Sequence, residues 1–166
     1  MPAEQILEHL MNEYGNTILR MCYLYLKDYQ LAEDAVQETF LKALKHYGSF
    51  QHQCSEKTWL IRIAINCCKN IMRTRWFQIR QNPLQGEYKQ DDTDPIDDFL
   101  EKDSVSAAIM KLRADDRQLL ILYYYQELPA REIAAMIGKS ENAVIQRLSR
   151  ARKRLKNILL EAGYEE

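Results

Sequence analysis

Apolar residues recur along most of the chain at intervals of three and four, the spacing that lines them up on one side of an α-helix. Three such stretches fill the first half. The first covers residues 6–26, with Gly15 as a candidate bend. The second covers residues 31–47, with Val36, Phe40, Ala43 and Leu44 turned inward, and the third covers about residues 57–77. The segment HYGSFQHQCSE between the last two is predicted to be a loop.

The second half of the chain predicts four more helices, over residues 105–112, 117–125, 129–137 and 140–160. Between the halves, the sequence QNPLQGEYKQDDTDPIDDFLEK has no apolar period and gathers Pro, Gly and Asp, a composition typical of a linker. The pattern therefore predicts an all-α protein of two small helical domains, residues 1–80 and 105–166, joined by a flexible acidic linker over residues 81–104.

Charge is distributed unevenly along the chain, although the formal net charge of the 166 residues is only −1. Residues 57–80 carry a net charge of +6 without a single acid, and residues 129–156 also carry +6. Residues 1–56 carry −4 and residues 87–103 carry −6. Two cationic segments that alternate with acidic ones are typical of a protein that binds a polyanion.

Several function classes find no support in the sequence. No stretch approaches the roughly 20 apolar residues that cross a bilayer, and no signal peptide is evident, so a cytoplasmic location is expected. The four cysteines form no C-x-x-C pair, so inert thiols are expected rather than a metal site or another cofactor. An enzyme of nucleic-acid metabolism has no support either, because the sequence shows no phosphate-cradling Gly loop, no nucleophile with its base and no carboxylate cluster on a basic cleft. No small-molecule substrate is expected.

The last predicted helix has one apolar and one polar face. Val144, Leu148, Ala151 and Leu155 fall within about 60° of one another, which predicts a buried stripe. The polar residues opposite, with the residues that flank them, are Asn142, Ile145, Gln146, Arg147, Ser149, Arg150, Lys153 and Arg154. There is no acid between Asn142 and Lys156. Amides and hydroxyls flanked by cations suit the major groove of DNA, although a cationic surface on a helical bundle is the alternative.

The residues before this helix support the DNA-binding interpretation. LPAREIAAMIGKSENAV places Pro129 at a helix start, Ala134 at a close crossing, Gly138 at a tight turn and Ser140 at the N-cap of the next helix. This spacing predicts a helix-turn-helix with the basic helix as its recognition helix.

The third predicted helix carries a second polar strip. Leu60, Ile63, Ala64, Cys67 and Ile71 gather on one side, while Arg62, Asn66, Lys69 and Arg73 lie on the other. This strip also contains cations and amides but no carboxylate, so a second nucleic-acid face is predicted. Among the aromatic residues, Trp59 is expected at the edge of the core and Trp76 and Phe77 are expected to be exposed. Tyr123, Tyr124 and Tyr125 are expected to pack against the helix-turn-helix.

The run over residues 128–155 resembles region 4 of bacterial sigma factors of the extracytoplasmic-function (ECF) group. The matching residues are Glu132, Ile133, Ala134, Gly138, Ser140, Val144, Arg147, Leu148, Arg150, Ala151, Arg152 and Leu155. The resemblance implies contact with the minus-35 promoter element by Ile145, Gln146, Ser149 and Arg150. Ile145 and Gln146 depart from the family pattern, as do Asn142 and Ala143, which leaves the preferred DNA sequence open.

The first half resembles sigma region 2. The motif T-W-L-x-x-I-A-x-N is matched from Thr58 to Asn66, with Arg73 in place and Asn70 instead of the usual Asp. The resemblance implies binding of the melted minus-10 strand, for which the candidates are Ser55, Lys57, Arg62, Asn66, Lys69, Asn70, Arg73 and Trp76. It also places capture of an unstacked base in the loop over residues 48–57.

AEDAVQETFLKAL, which starts at Ala32, is similar to the part of region 2 that docks on the clamp helices of the polymerase β′ subunit. The candidate polymerase-binding residues are Asp34, Gln37, Glu38, Leu41 and Lys45. An ordinary solvated face is the alternative for this acidic surface. Further partners that the resemblance implies are the polymerase β flap, promoter DNA and an anti-sigma factor, which can be membrane-bound.

The sequence is thus interpreted as a two-domain ECF sigma factor that binds core RNA polymerase and directs promoter recognition and melting, without catalysing a reaction itself. In the family, the linker runs toward cation-lined channels of the polymerase, which an acidic segment suits, although a plain solvated spacer is the alternative. The main rival function is a dimeric helix-turn-helix regulator that acts without being a polymerase subunit.

Overall fold

The structure is a computed structural model that describes residues 2–81 and 104–163, with side chains described in 2–75 and 104–163. The chain divides into two compact units, Met1–Asp92 and Thr93–Glu166. All regular structure in the described residues is helical, which confirms the prediction of an all-α protein with two small helical domains. Most of the predicted linker and the side chains of Trp76 and Phe77 lie outside the described residues. The domain boundaries at residues 80 and 105 therefore stay predictions.

The first unit consists of α1 (Ala3–Leu26), α2 (Tyr29–His46), a short 3₁₀ turn (Tyr47–Ser49) and α3 (Glu56–Gln81). The three α-helices pack on one another. Asp28 starts α2, because its carboxylate accepts a hydrogen bond from the Leu31 N–H at 2.9 Å. The same carboxylate accepts a second hydrogen bond at 3.1 Å from Arg75 of α3. One side chain thus fixes the start of α2 and ties it to α3.

The core of the first unit differs in detail from the predicted stripes. Ile61, Ile65 and Cys68 of α3 are fully buried with Leu60 and Ala64, whereas the predicted core residues Ile63 and Ile71 are half-buried. The reason is that α3 packs against both α1 and α2, so it buries a wider face than a helix with one neighbour.

The other two helices show similar adjustments. On α2, Phe40 and Ala43 are buried as predicted together with Ala32, Ala35 and Thr39, whereas Val36 and Leu44 are half-buried. Small residues at the contact let α2 approach its neighbours closely. Gly15 does not interrupt α1, which is a single helix from Ala3 to Leu26.

The cysteines of the first unit are free thiols, and three of them are part of the core. Cys22, Cys67 and Cys68 are buried, whereas Cys54 is half-buried. A hydrogen bond with Cys22, together with burial, raises the pKa of the Cys68 thiol, and burial raises the pKa of Cys67. Thiols held in the protonated form are poor nucleophiles, so Cys67 and Cys68 act as small core residues.

The second unit consists of α4 (Ser104–Met110), α5 (Ala114–Leu120), a π-helical segment (Ile121–Tyr125), α6 (Ala130–Ile137) and α7 (Glu141–Glu161). The predicted stripe of α7 is confirmed, because Val144, Leu148, Ala151 and Leu155 are all buried. They pack with a core that includes Ile109, Leu119, Leu120, Ile121, Leu122 and Ile133. Within the described part of the chain, no helix is long and apolar enough to cross a membrane.

Candidate nucleic-acid interface

The turn between α6 and α7 has the geometry predicted from sequence. Pro129 occupies the position before the first residue of α6, and Gly138 ends the helix with φ of +70°, the left-handed conformation that glycine adopts most easily. Ser140 caps α7, because its hydroxyl oxygen accepts a hydrogen bond from the Ala143 N–H at 3.1 Å. Ala134 is buried and α6 packs on α7, which completes a helix-turn-helix.

The face of α7 opposite the core is open to solvent. Asn142, Gln146, Ser149 and Lys153 are exposed along its centre. Ile145 on one flank is 48% exposed, so the strip also presents an apolar side chain. Arg150 on the other flank is also exposed. The strip can therefore present amides, a hydroxyl and cations to base edges and phosphates.

Three arginines at the borders of α7 contact side chains of preceding elements. Arg154 donates a hydrogen bond to the Asp116 carboxylate at 2.8 Å, and Arg147 lies 3.9 Å from the Asp115 carboxylate. The guanidinium carbon of Arg152 lies 4.7 Å from the ring centre of Tyr123, a cation–π contact. Tyr123 therefore packs against α7, as expected. The same guanidinium carbon lies 5.6 Å from the ring centre of Tyr124, which is 48% exposed. The segment of α7 from Asn142 to Lys156 contains no acid, and the carboxylates that contact its arginines come from α5.

The polar strip of α3 is likewise on the surface. Arg62, Asn66, Asn70 and Arg73 are exposed, and Lys69 and Lys57 are half-buried. The described side chains of this strip are all Lys, Arg or Asn, so the strip contains no carboxylate. Trp76, the last predicted member, has its side chain outside the described residues.

Ser55 has a local structural role in addition to its predicted contact with DNA. Its hydroxyl oxygen accepts a hydrogen bond from the Thr58 N–H at 3.0 Å, the geometry of a helix N-cap. The hydroxyl groups of Ser55 and Thr58 are also 3.0 Å apart. Ser55 thus starts α3, the helix that carries the polar strip.

Sequence reasoning missed a hydrogen-bond network around Glu56 at the start of α3. The Glu56 carboxylate accepts hydrogen bonds from the hydroxyl groups of Tyr47, at 2.7 Å, and Tyr14, at 3.3 Å. The His9 imidazole lies 3.0 Å from the same carboxylate. These hydrogen bonds, above all the one from Tyr47, hold the pKa of Glu56 below its usual range. The network ties the loop to α1, and since its members lie up to 47 residues apart, spacing gave no signal of it.

Three aromatic rings lie together where the loop that the resemblance assigns to base capture meets α3. Phe50 stacks on Trp59, with ring centres 4.6 Å apart and an angle of 25° between the ring planes. The ring centre of His52 lies 4.4 Å from that of Phe50, with an angle of 53° between the planes. Trp59 is half-buried, in line with its expected place at the edge of the core. His52 is exposed and has φ of +56°, a left-handed conformation that is uncommon for a non-glycine residue.

The predicted polymerase-binding residues share the outer face of α2. Asp34, Gln37, Leu41 and Lys45 are exposed, and Leu41 exposes 65% of its surface. Glu38 is half-buried and forms an ion pair with Lys42 at 2.9 Å. The outer face of α2 thus presents charged side chains and a large apolar one to solvent.

Metal binding finds no geometric support in the part of the chain that the structure describes. No cluster of three or more His, Cys, Asp or Glu residues there could hold a metal ion.

Both units match protein families. Residues 10–78 match the sigma-70 region 2 family, and residues 102–155 match the sigma-70 region 4 family. These two matches cover most of the chain, in the order that the sequence predicted.

Individual proteins agree with the family matches. The chain is 30% identical to the RNA polymerase sigma factor YlaC of Bacillus subtilis, over 100% of this chain and 99% of the relative. It is also 30% identical to the ECF RNA polymerase sigma factor SigM of Bacillus subtilis, over 92% of this chain and 94% of the relative. Some relatives are longer: the chain spans 42% of the probable RNA polymerase sigma factor RfaY of Xanthomonas campestris, with 28% identity over 96% of this chain.

A solved structure shows the same fold. The sigma factor RpoE of Bartonella quintana, solved in complex with the anti-sigma factor NepR, superposes with a TM-score of 0.73 and 24% sequence identity. The match covers 92% of this chain and 95% of that protein. The chain belongs to the sigma-70 family of RNA polymerase sigma factors, in the extracytoplasmic-function group.

Proposed function

We propose that this protein is a promoter-specificity subunit of RNA polymerase that binds the core enzyme, recognises two promoter elements and helps to melt the DNA. The observation that carries this proposal is the exposed polar strip on each unit, built from cations and amides on α3 and α7 without a carboxylate in between. Polymerase performs the chemistry, so the protein itself is a transcription initiation factor and not an enzyme. Transcription takes place in the bacterial cytoplasm, which is the compartment we propose.

The first unit has the proposed role of holding polymerase and the melted minus-10 strand. The outer face of α2, from Asp34 to Lys45, would dock on the β′ clamp through its carboxylates and through Leu41. Arg62, Asn66, Lys69, Asn70 and Arg73 would follow the backbone of the single strand. An extruded base could stack on the rings of the loop, which would offset the few kcal/mol that unstacking costs.

The second unit has the proposed role of reading the minus-35 duplex. Its recognition helix α7 would place Asn142, Ile145, Gln146 and Ser149 near base edges, while Arg150 and Lys153 would neutralise phosphates. The β flap is the proposed polymerase contact of this unit. An anti-sigma factor, as in the complex of the Bartonella quintana protein, is the proposed regulator, since it would cover these faces.

Two sets of substitutions test the proposal. Arg150→Ala should weaken binding to the minus-35 element and leave the affinity for core polymerase unchanged, because Arg150 lies on the exposed face of α7. Charge reversal at Asp34 and Glu38 should weaken binding to core polymerase and leave minus-35 binding by the assembled enzyme unchanged. Affinities for core enzyme and for promoter duplex can be measured separately, and an interchange of the two effects would refute the assignment.

The rival function, a dimeric helix-turn-helix regulator, makes a different prediction. It requires tight binding to a palindromic site by the isolated protein. A sigma factor binds its promoter well only with core polymerase. Gel-shift assays with and without core enzyme separate the two functions, and strong palindromic binding by the protein alone would favour the regulator.

A further inference from the structure

A cleft lined by charged side chains lies beside the recognition helix. Its volume is about 210 Å³, and its lining residues are Arg113, Asp115, Asp116, Arg147, Arg150 and Arg154. Four guanidinium groups face two carboxylates, which leaves the cleft with two excess positive charges at neutral pH. Of these residues, Arg113, Asp115 and Asp116 precede the helix-turn-helix in the chain, and sequence reasoning assigned them no role.

The two carboxylates position two of the arginines. The Asp116 side chain is only 10% exposed and accepts a hydrogen bond from Arg154 at 2.8 Å, so this pair is a fixed part of the unit. Asp115 is 69% exposed and lies 3.9 Å from Arg147, which makes a looser pair. These contacts hold two guanidinium groups at the wall of the cleft and cancel part of their mutual repulsion.

The other two arginines have no such partner in the described residues. Arg113 and Arg150 are both exposed, and no ion pair there joins either side chain to a carboxylate. Like charges gathered in one cleft create a local positive potential that attracts an anion. A guanidinium group binds phosphate through two parallel hydrogen bonds, a geometry that a lysine does not offer.

The position of the cleft beside α7 indicates that the phosphate belongs to the DNA backbone. Arg150 is at the edge of the exposed strip of α7, the strip proposed above to enter the major groove. The DNA backbone runs along both edges of that groove, so a basic cleft at the flank of a recognition helix meets backbone phosphates. This step rests on the proposed function, since it requires that α7 binds duplex DNA.

We propose that Arg113 and Arg150 together bind a backbone phosphate beside the minus-35 element, while Asp115 and Asp116 hold Arg147 and Arg154 at the same cleft. Arg113 comes just before α5 and thus from outside the helix-turn-helix. A phosphate held between Arg113 and α7 fixes how the recognition helix sits along the groove. The contact carries no sequence information, so it should act equally on different minus-35 sequences.

The salt dependence of binding tests this proposal. Full-length Arg113→Gln protein, assembled with core polymerase, is compared with wild type for affinity to a promoter duplex at increasing salt. Loss of one phosphate contact lowers the slope of log affinity against log salt by about 0.9, which shrinks the fall between 50 and 200 mM salt roughly threefold. Lys111→Gln is the matched control, because Lys111 is exposed and basic but does not line the cleft. Its slope should equal that of wild type.

A scan with neutral phosphates identifies the contact itself. Single methylphosphonate groups are placed along the minus-35 backbone, and one position should weaken binding by wild type more than binding by Arg113→Gln, because the variant keeps only Arg150 at that phosphate. The proposal is overturned if Arg113→Gln keeps the wild-type slope, or if every position that weakens wild type weakens the variant equally. A wild-type holoenzyme that binds no promoter duplex would instead refute the proposed function, so the two failures are distinguishable.

Discussion

Glu56 shows how a single carboxylate can organise a functional loop. Its side chain is 20% exposed, and it accepts hydrogen bonds from residues of α1 and of the 3₁₀ turn while it starts α3. Charge-assisted hydrogen bonds of this kind are stronger than neutral ones. The loop beside this network contains Phe50, whose ring stacks on Trp59 of α3. Glu56 thus joins α1, the 3₁₀ turn and the start of α3 next to the aromatic rings.

The lowered pKa of Glu56 predicts how the stability of the first unit depends on pH. Because the folded-state pKa lies below the unfolded value of about 4.3, the contribution of Glu56 is present above that value and is lost as pH falls through the folded-state pKa. Glu56→Gln should lower the free energy of unfolding by about 1 to 2 kcal/mol at neutral pH. The difference from wild type should shrink in acid.

Denaturant unfolding followed by tryptophan fluorescence between pH 3 and 7 measures this difference, since both tryptophans belong to the first unit. Glu8→Gln is a suitable control, because Glu8 is exposed on α1 and makes none of the hydrogen bonds that Glu56 accepts in the described structure. A Glu56→Gln deficit that stayed constant down to pH 3 would contradict the assignment.

At the scale of elements, the turn between α6 and α7 depends on the backbone more than on packing. Gly138 has φ of +70°, and an added Cβ would meet no atom within 4 Å. The cost of Gly138→Ala is therefore conformational, about 1 to 2 kcal/mol. Thermal unfolding of the second unit, followed by circular dichroism, should show this loss together with weaker minus-35 binding.

Gly15 provides a matched comparison for Gly138. It lies within α1, has no positive φ, and an added Cβ would also meet no atom within 4 Å. Gly15→Ala should therefore stabilise the first unit by about 0.5 to 1 kcal/mol, since alanine has the higher helix propensity. If both substitutions changed stability in the same direction, the backbone explanation for Gly138 would be wrong.

Sequence patterns predicted elements well because each helix repeats its own period. The α7 stripe, the Gly138 turn and the Ser140 cap all depend on residues close together in the chain. The same patterns do not show how many neighbours a helix packs against. The predicted stripe of α3 omitted Ile61 and Ile65, which are buried because α3 packs on two helices. The Arg154–Asp116 pair and the Glu56 network join residues 38 and up to 47 positions apart, which no local period records.

At the scale of the whole molecule, the net charge of −1 conceals one cationic segment in each half of the chain. Region 2 would hold polymerase and single strand, whereas region 4 would hold duplex. Neither proposed DNA contact needs to be strong by itself. Once one unit is bound, the covalent connection keeps the other unit close to its DNA site, at an effective concentration that can reach the millimolar range. Promoter specificity then depends on two weak sites that must be engaged together.

Cutting the connection should therefore abolish activity without unfolding either unit. A protease recognition sequence inserted after Gly86 gives a protein that can be tested before and after cleavage. Helical circular dichroism should be unchanged on cleavage, because each unit has its own core. Transcription from a minus-35-dependent promoter at fixed protein concentration should fall on the order of 10²-fold or more. Cleaved protein as active as the uncut form would mean that polymerase holds each unit firmly by itself, and that the covalent connection contributes nothing to promoter recognition.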